Sequence, residues 1–278
     1  MKRRTIQAVI ALLIPASTLL AQDSFYSKWE SSVNSIQSRQ PAVPVPVVSP
    51  DAGLVQLFRT DVVRQILPGA HPQWIYGNSK GADLIPWKNT EIDVNVPPYL
   101  QHHSPVTQDG FGDFSLLYKY RLLSGDVEHG DFVVSAALAA TIPTGSYKNG
   151  NAKVTLTPTV YVAKGWKKLY FQSNLGGLLP TENGQNIGRN VIWNSVVQDH
   201  EKKIFWPELE VNSTYFHGGP NDGKSQVFIT PGLMVSKFRL QPNRQNRLAI
   251  LFGGGFQIAA SQYHAYNHAT VLTTRIVF

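Results

Sequence analysis

The chain contains no cysteine, which excludes disulfide bonds and the lipid-modified cysteine of a lipoprotein. Without disulfide bonds the fold must be stabilised by its size and by burial of its own side chains. Charged residues are also few, at 15% of the chain, and Lys and Arg form no cluster interleaved with aromatic residues. We therefore expect no nucleic acid as a partner.

Long apolar runs are missing beyond the first 21 residues. The longest candidates are Phe132–Pro143 and Leu248–Ala260, and polar residues or glycines interrupt both. A spanning helix needs about 18 or more consecutive apolar residues. If the mature protein crosses a membrane, it must therefore do so as a closed barrel, which satisfies every strand hydrogen bond internally.

The N-terminus has the three parts of a secretory signal peptide. Lys2, Arg3 and Arg4 form a positive start, Ile6–Leu20 is largely apolar, and Ala21 is small. We predict a signal peptide at 1–21, cleaved near Ala21. The alternative, an uncleaved anchor, is disfavoured by the short run and by its internal proline. About 257 residues remain, enough for one large domain.

Residues 22–52 are predicted to be a polar and proline-rich leader. Apolar residues recur every three or four positions in Ser24–Gln40, which is typical of a short amphipathic helix. The prolines of Pro41–Pro50 impose an extended, polyproline-like geometry. This stretch is either a linker or a plug that folds into a barrel lumen, and both hypotheses stay open here.

From Gly53 onward the sequence is a series of alternating runs separated by turn residues. In Thr90–Val96 and Phe114–Leu123, apolar and polar residues alternate, as they do in strands with two different faces. About twelve such runs occur, and several reach 11–15 residues, whereas soluble strands are usually about 5–6 residues long. We predict an all-β fold for 53–278, a transmembrane antiparallel β-barrel of about 12 strands. The alternative is a soluble β-sandwich with one buried face.

The last ten residues, Ala269–Phe278, fit a closing barrel strand. Leu272, Ile276 and Phe278 share one face, and Arg275 lies on the other. We expect the apolar face to contact lipid and Arg275 to point into the lumen.

A polar face is expected to line the lumen, because charged groups facing lipid near the bilayer centre cost several kcal/mol. These side chains either bind a passing solute or pair with one another in a packed interior. The candidates are Glu91, Asp93, Lys119, Arg121, Gln172, Asn174, Gln198, Glu208, Glu210, Arg247, Gln257 and Arg275.

No arrangement of residues predicts catalysis, and we expect no enzyme. His102 and Ser104 have the spacing of a His/Ser pair found in outer-membrane phospholipases, but Pro105 places them in an irregular loop. The scattered histidines lack carboxylate or cysteine partners at ligand spacing, so no metal is expected. Nothing in the sequence calls for a cofactor.

Two stretches carry a family resemblance. Gly110-x-Gly112-Asp113 precedes an alternating strand, and Pro143-Thr144-Gly145 follows about thirty residues later. In both, the chain resembles the MetA-pathway of phenol degradation family, whose members are regarded as outer-membrane β-barrel channels or transporters. The resemblance also implies that Phe278 is an assembly signal, read by the barrel-assembly machinery.

The sequence thus predicts an exported protein of the bacterial outer membrane. The expected function is that of a channel or transporter for small solutes, including hydrophobic or aromatic ones. A lipase-like barrel enzyme and a non-transporting structural barrel are the alternatives. The expected partners are outer-membrane lipid, the barrel-assembly machinery and a small-molecule solute.

Overall fold

The computed structural model describes residues 16–42, 44–69, 71–151, 153–201, 204–240 and 247–278. The start of the predicted signal peptide, residues 1–15, lies outside this range. The first helix, α1 (Ala16–Gln37), begins inside the predicted signal peptide and runs through the expected cleavage point. Within the described ranges, no helix is both long enough and apolar enough to cross a bilayer.

Almost all of the remaining regular structure is strand. A single-turn helix, α2 (Gly184–Ile187), interrupts one loop. The strands are β1 (Leu57–Ile66), β2 (Pro72–Tyr76), β3 (Gly81–Trp87), β4 (Thr90–Asn95), β5 (Tyr99–Gln101), β6 (Gly110–Phe111), β7 (Phe114–Gly125), β8 (Phe132–Ile142), β9 (Thr155–Trp166), β10 (Leu169–Pro180), β11 (Arg189–Asp199), β12 (Phe205–His217), β13 (Ser225–Arg239), β14 (Ala249–Ala259) and β15 (His268–Val277).

These strands form one closed antiparallel sheet, because β15 pairs with β1 along ten residues. Three strands of the wall are each interrupted once, so that β2 continues into β3, β4 into β5 and β6 into β7. Both β2 and β3 pair with β1, and β5 bridges β2 and β6. The barrel therefore has 12 strands, as the sequence predicts.

The wall alternates between an apolar outer face and a mixed inner face. On β10, Leu169 and Leu175 are exposed, while Tyr170 and Gln172 are buried. On β15, Leu272 is 59% exposed and Arg275 is fully buried. An exposed apolar band around a closed sheet is the surface that a bilayer solvates.

The two ends of the barrel differ in the length of their connections. At one end, which we call the turn end, β3 and β4 are joined by residues 88–89, and β9 and β10 by residues 167–168. The helix α1 and the C-terminus also lie at this end. The opposite end, the loop end, carries longer connections such as residues 102–109 and 143–154.

Residues 38–42 and 44–56, which we call the N-terminal segment, run through the lumen between α1 and β1. Val47 packs against inward-facing side chains that include Val63, Met234 and Leu251. Ala52 packs in a second cluster with Val133 and Tyr161, among others. The barrel interior is thus a packed core in which the segment supplies the central residues.

Candidate functional site in the barrel lumen

Two glutamates on β12 bind the backbone of the N-terminal segment. Oε1 of Glu208 accepts a hydrogen bond from the N–H of Val47 at 2.7 Å. The two carboxylate oxygens of Glu210 accept from the N–H groups of Val48 and Ser49, both at 2.7 Å. Both glutamates are buried, and a buried carboxylate needs such donors to offset its lost hydration.

The sequence of the segment explains why contact occurs at this point. Proline has no backbone N–H, and prolines stand at positions 41, 44, 46 and 50. Residues 47–49 are the longest stretch of consecutive N–H donors between these prolines. The adjacent carboxylates of Glu208 and Glu210 face this stretch.

Two arginines on neighbouring strands bind the carbonyl groups of the same segment. Arg275 on β15 donates to the carbonyl oxygens of Val45 and Pro46. Arg59 on β1 donates to the carbonyl oxygens of Pro46, at 3.3 Å, and Val47. The two arginines are directly opposite each other in the sheet, where like charges repel. Asp61 offsets this repulsion through a double contact with Arg59, at 2.9 and 2.7 Å.

A buried ion pair binds the later part of the segment. Lys119 on β7 and Glu91 on β4 lie opposite each other and form a salt bridge. The ammonium of Lys119 also donates to the carbonyl of Gly53 at 3.2 Å, and Glu91 accepts from the N–H of Val55. Lys119 and Glu91 thus neutralise each other's charge, and each also pairs with one backbone group of the segment.

Neutral side chains complete the contacts with the segment. Gln172 accepts from the N–H of Ala52 at 3.0 Å, and Ser135 donates to the carbonyl of Ala52 at 2.7 Å. Asn212 donates to the hydroxyl of Ser49 at 3.0 Å, and Gln198 donates to the carbonyl of Pro44 at 3.2 Å.

Arg121 on β7 holds the point where α1 joins the segment. Its Nη1 donates to the carbonyl of Ile36 at 2.8 Å and to Oε1 of Gln40 at 2.9 Å. The helix is also anchored by its own apolar face, because Val33 and Ile36 pack against Leu54 and Ile85.

Asp51 is the one acidic side chain of the N-terminal segment, and it is buried in the lumen. Burial raises the pKa of Asp51 to about 6, against the opposing effect of the nearby Lys119 ammonium. Its Oδ1 has no hydrogen-bond partner among the described residues.

Most of the predicted lumen residues are buried on the inner face. Ten are buried, namely Glu91, Lys119, Arg121, Gln172, Asn174, Gln198, Glu208, Glu210, Gln257 and Arg275. Of these, Asn174 bonds to Asn194 on the wall, and Gln257 to the hydroxyl of Tyr266. Asp93 is half-buried on β4. The others bind the N-terminal segment or α1, as described above.

Arg247 differs from the expectation, because it precedes β14 and is not part of a strand. Its N–H donates to Glu30 at 2.6 Å, and its guanidinium contacts Asn34 and Gln37 of α1. It thus links the helix to the barrel at the turn end, and also donates to the C-terminal carbonyl of Phe278 at 3.2 Å.

Phe278 also differs from the expected lipid-facing position. It lies beyond the end of β15, and its ring centroid is 6.3 Å from that of Trp29 on α1. Its carbonyl accepts a hydrogen bond from Gln56 at 3.0 Å. The role of Phe278 as an assembly signal stays a prediction.

Four residues that take part in these lumen contacts were not among the predicted lumen-lining residues. Arg59 and Asp61 alternate within the run that forms β1, so the same period-of-two argument could have found them. Ser135 and Asn212 gave weaker signals, because neutral polar side chains occur on either face of a strand. The residues of the N-terminal segment that Ser135 and Asn212 contact are 83 and 163 residues away in sequence.

The residues considered for catalysis or metal binding do not form a common site among the described residues. The ring of His102 contacts Asn149 at 2.6 Å, and the backbone N–H of His102 donates to the carboxylate of Asp109. The hydroxyl of Ser104 accepts from the N–H of Val106 at 3.2 Å. In the part of the chain that the structure describes, no group of three or more His, Asp or Glu residues could hold a metal ion.

The fold is similar to that of a solved porin. The structure titled "NanC porin structure in rhombohedral crystal form" matches with a TM-score of 0.50 and 11% sequence identity. The match covers 79% of this chain and 98% of that chain. No curated protein matches the sequence. A family model described as "Putative MetA-pathway of phenol degradation" matches residues 74–270, well over half of the chain, and the chain therefore belongs to this family.

Proposed function

We propose that this protein is an outer-membrane channel for small solutes, closed at rest by its own N-terminal segment. The observation that carries the proposal is the closed 12-stranded barrel, whose outer face is apolar and whose inner face carries many charged side chains. Such an outer face is stable in a bilayer, and the charged groups inside would line a path along the barrel axis once the segment had left. The porin-like fold and the family of the chain support the same function.

Passage through the lumen requires the N-terminal segment to move. Its backbone is bound by carboxylates and guanidinium groups, each hydrogen bond of this kind contributing about 1.5–3 kcal/mol. Most of these bonds are to backbone groups, which water or a polar solute can also satisfy when the segment leaves. The charged inner face would then act as the lining that we predicted from the sequence.

The solute class that we propose is small molecules, including hydrophobic or aromatic ones. The inner face offers polar and apolar contacts, because it carries Val63, Tyr161 and Leu251 as well as the charged side chains. The phenol-degradation description of the family supports an aromatic solute.

A non-transporting barrel is the second candidate, because the described interior is packed around the segment. The two functions differ in whether the segment leaves. An enzyme is disfavoured, since His102 and Ser104 bond to other partners.

Solute uptake into liposomes tests the proposal with the full chain. Ser49→Cys and Asn212→Cys place two thiols where the native side chains are 3.0 Å apart, in a chain with no other cysteine. We expect uptake by the reduced double variant and its loss on oxidation, with both single variants unaffected. A folded barrel that takes up no solute in either state would instead support the non-transporting barrel.

A further inference from the structure

Two open grooves adjoin each other at the turn end of the barrel. The first, of about 410 Å³, lies between α1 and the turn that joins β3 to β4. The second, of about 430 Å³, follows the end of β7. Arg39, Lys88 and Arg121 line both grooves, so we treat the two as one surface and call it the rim groove.

The part of the rim groove beside α1 is lined by cations. Lys28, Arg39 and Lys88 have exposed side chains that can turn towards a ligand there. Among the described residues, no Asp or Glu lines this part, and none of the three cations forms a salt bridge. Exposed hydroxyl groups of α1 supply further hydrogen-bond donors, on Ser31, Ser32 and Ser35.

Arg121 adds a fourth positive charge to the rim groove. It is buried, and within the described ranges its hydrogen bonds go to neutral oxygens, those of Ile36, Gln40 and Asn89. Arg39 lies close enough to act on Arg121 as a like charge. The rim groove therefore carries an excess of positive charge, which raises the local concentration of anions.

Among the described residues, one acid lines the rim groove, and it has partners of its own. This acid is Asp126, which lines the part beside β7 but not the part beside α1. Its carboxylate accepts from the backbone N–H groups of Glu128 and His129 and lies 2.6 Å from the ring of His129. An anion beside α1 therefore meets cations and hydroxyl groups, and not this carboxylate.

Apolar side chains beside these cations indicate the level of lipid headgroups. Trp87, which directly precedes Lys88, is exposed, and exposed tryptophans are typical of the membrane interface. A register shift in β7 after Arg121 leaves both Leu122 and Leu123 exposed, and both line the rim groove. A molecule bound to the cations can therefore lay an apolar chain on the same surface.

We propose that the rim groove binds an anionic phospholipid, whose phosphate contacts Lys28, Arg39 and Lys88 and whose acyl chain packs on Leu122 and Leu123. The short turns of outer-membrane barrels face the periplasm, so the lipid belongs to the periplasmic leaflet. Inorganic phosphate shares the chemistry of the headgroup but has no apolar part. Lipid binding does not require solute passage, so this proposal and the channel can fail separately.

Native mass spectrometry of the full chain in an uncharged detergent tests the site. The probes are phosphatidylglycerol, phosphatidylcholine with the same acyl chains, and inorganic phosphate. We expect one phosphatidylglycerol to bind at least about tenfold more tightly than phosphatidylcholine, because each cation near an anionic headgroup is worth about a factor of five. Inorganic phosphate lacks the acyl chains, so it should displace the lipid only in roughly hundredfold excess.

Charge variants locate the binding, each checked for a folded barrel by heat-modifiable gel mobility. Lys88→Gln and Arg39→Gln should each weaken phosphatidylglycerol binding about fivefold, whereas Lys88→Arg keeps the charge and should leave it unchanged. Lys167→Gln is the matched control. Lys167 is an exposed lysine of another two-residue turn at the same end, and it also follows an exposed tryptophan, Trp166.

An apolar variant separates the lipid from free phosphate. Leu122→Gln combined with Leu123→Gln removes the surface for the acyl chain and leaves the cations in place. We expect weaker binding of phosphatidylglycerol and unchanged binding of inorganic phosphate. Unchanged binding of both would reject the acyl contact and with it the proposal.

Equal affinity for phosphatidylglycerol and phosphatidylcholine would also overturn the proposal. So would displacement of the lipid by an equal concentration of phosphate, since the site would then be one for a free anion. An equal loss in Lys88→Gln and Lys167→Gln would show a general attraction to the turn end, and no site. Liposome uptake without lipid selectivity would leave the channel and reject this site, and selective lipid binding without uptake would do the reverse.

Discussion

Among single residues, Glu210 shows most simply how the barrel wall holds the N-terminal segment. It is fully buried, and its two oxygens accept from two consecutive N–H groups of the segment, those of Val48 and Ser49. Both bonds need the carboxylate, because an amide at this position would turn one acceptor into a donor facing an N–H.

We therefore expect Glu210→Gln to release the segment more often. Losing one charged hydrogen bond and leaving an N–H unpaired costs about 2 kcal/mol, roughly a thirtyfold change in the docking equilibrium. The measurement is the rate of maleimide labelling at Ser49→Cys, which is buried in the docked state. The rate should rise roughly thirtyfold in the Glu210→Gln background.

Two controls accompany this labelling experiment. Ser38→Cys, at an exposed position of the segment, should label quickly in every background. Glu201→Gln removes an exposed ion pair with Lys168, which is worth at most about 1 kcal/mol, and should leave the rate at Ser49→Cys unchanged. An unchanged rate with Glu210→Gln would show that the segment is not held by this side chain.

The sequence predicts the inward direction of Glu208 and Glu210 but not what they bind. Alternation along one strand is local, so the period of two is enough to assign their face. Their partners, Val47 and Val48, are 161 and 162 residues away in sequence. Proline content predicts stiffness, and a stiff segment can lie outside a barrel or inside it.

At the scale of elements, β10 illustrates how a barrel strand is stabilised. Leu169 and Leu175 both point outward and are similarly exposed, at 53% and 57%. Leu175 lies near the middle of the strand Leu169–Pro180, and Leu169 begins it at the turn end. The two positions therefore differ mainly in their depth in a bilayer.

We expect Leu175→Arg to lower the free energy of unfolding in lipid vesicles by about 2–4 kcal/mol. Leu169→Arg, near the interface, should lower it by only about 0–1 kcal/mol. Urea titration of tryptophan fluorescence measures both. Equal small effects at the two positions would contradict a lipid-facing outer surface.

The alternating runs in the sequence predict the long strands well. They predict less well where a strand of the barrel wall is interrupted. Regular alternation in Phe114–Leu123 corresponds to β7 with little error. The break between β4 and β5 coincides with Pro97 and Pro98, which cannot donate ladder hydrogen bonds. That β5 nevertheless resumes the same strand of the wall depends on its pairing with β2 and β6, which is non-local.

At the scale of the whole molecule, the barrel and its N-terminal segment form one packed unit. Strand length and alternation predict the closed barrel of 12 strands, because these are repeated many times along the chain. The segment occurs once and has no repeat that could indicate its place. Its position is set by the charges of the lumen, which need partners once they are removed from water.

A disulfide test in isolated membranes examines the central claim, that the N-terminal segment lies inside a membrane barrel. Asn194 and Asn212 lie directly opposite each other on β11 and β12, with their side chains 3.1 Å apart. Asn194→Cys with Asn212→Cys should therefore cross-link in any folded barrel. Ser49→Cys with Asn212→Cys should cross-link only if the segment lies in the lumen.

We predict that both pairs form intramolecular disulfide bonds, in membrane-bound protein whose gel mobility changes on boiling. Cross-linking of the wall pair without the Ser49→Cys pair would contradict the account, since the barrel would be folded and the segment outside it.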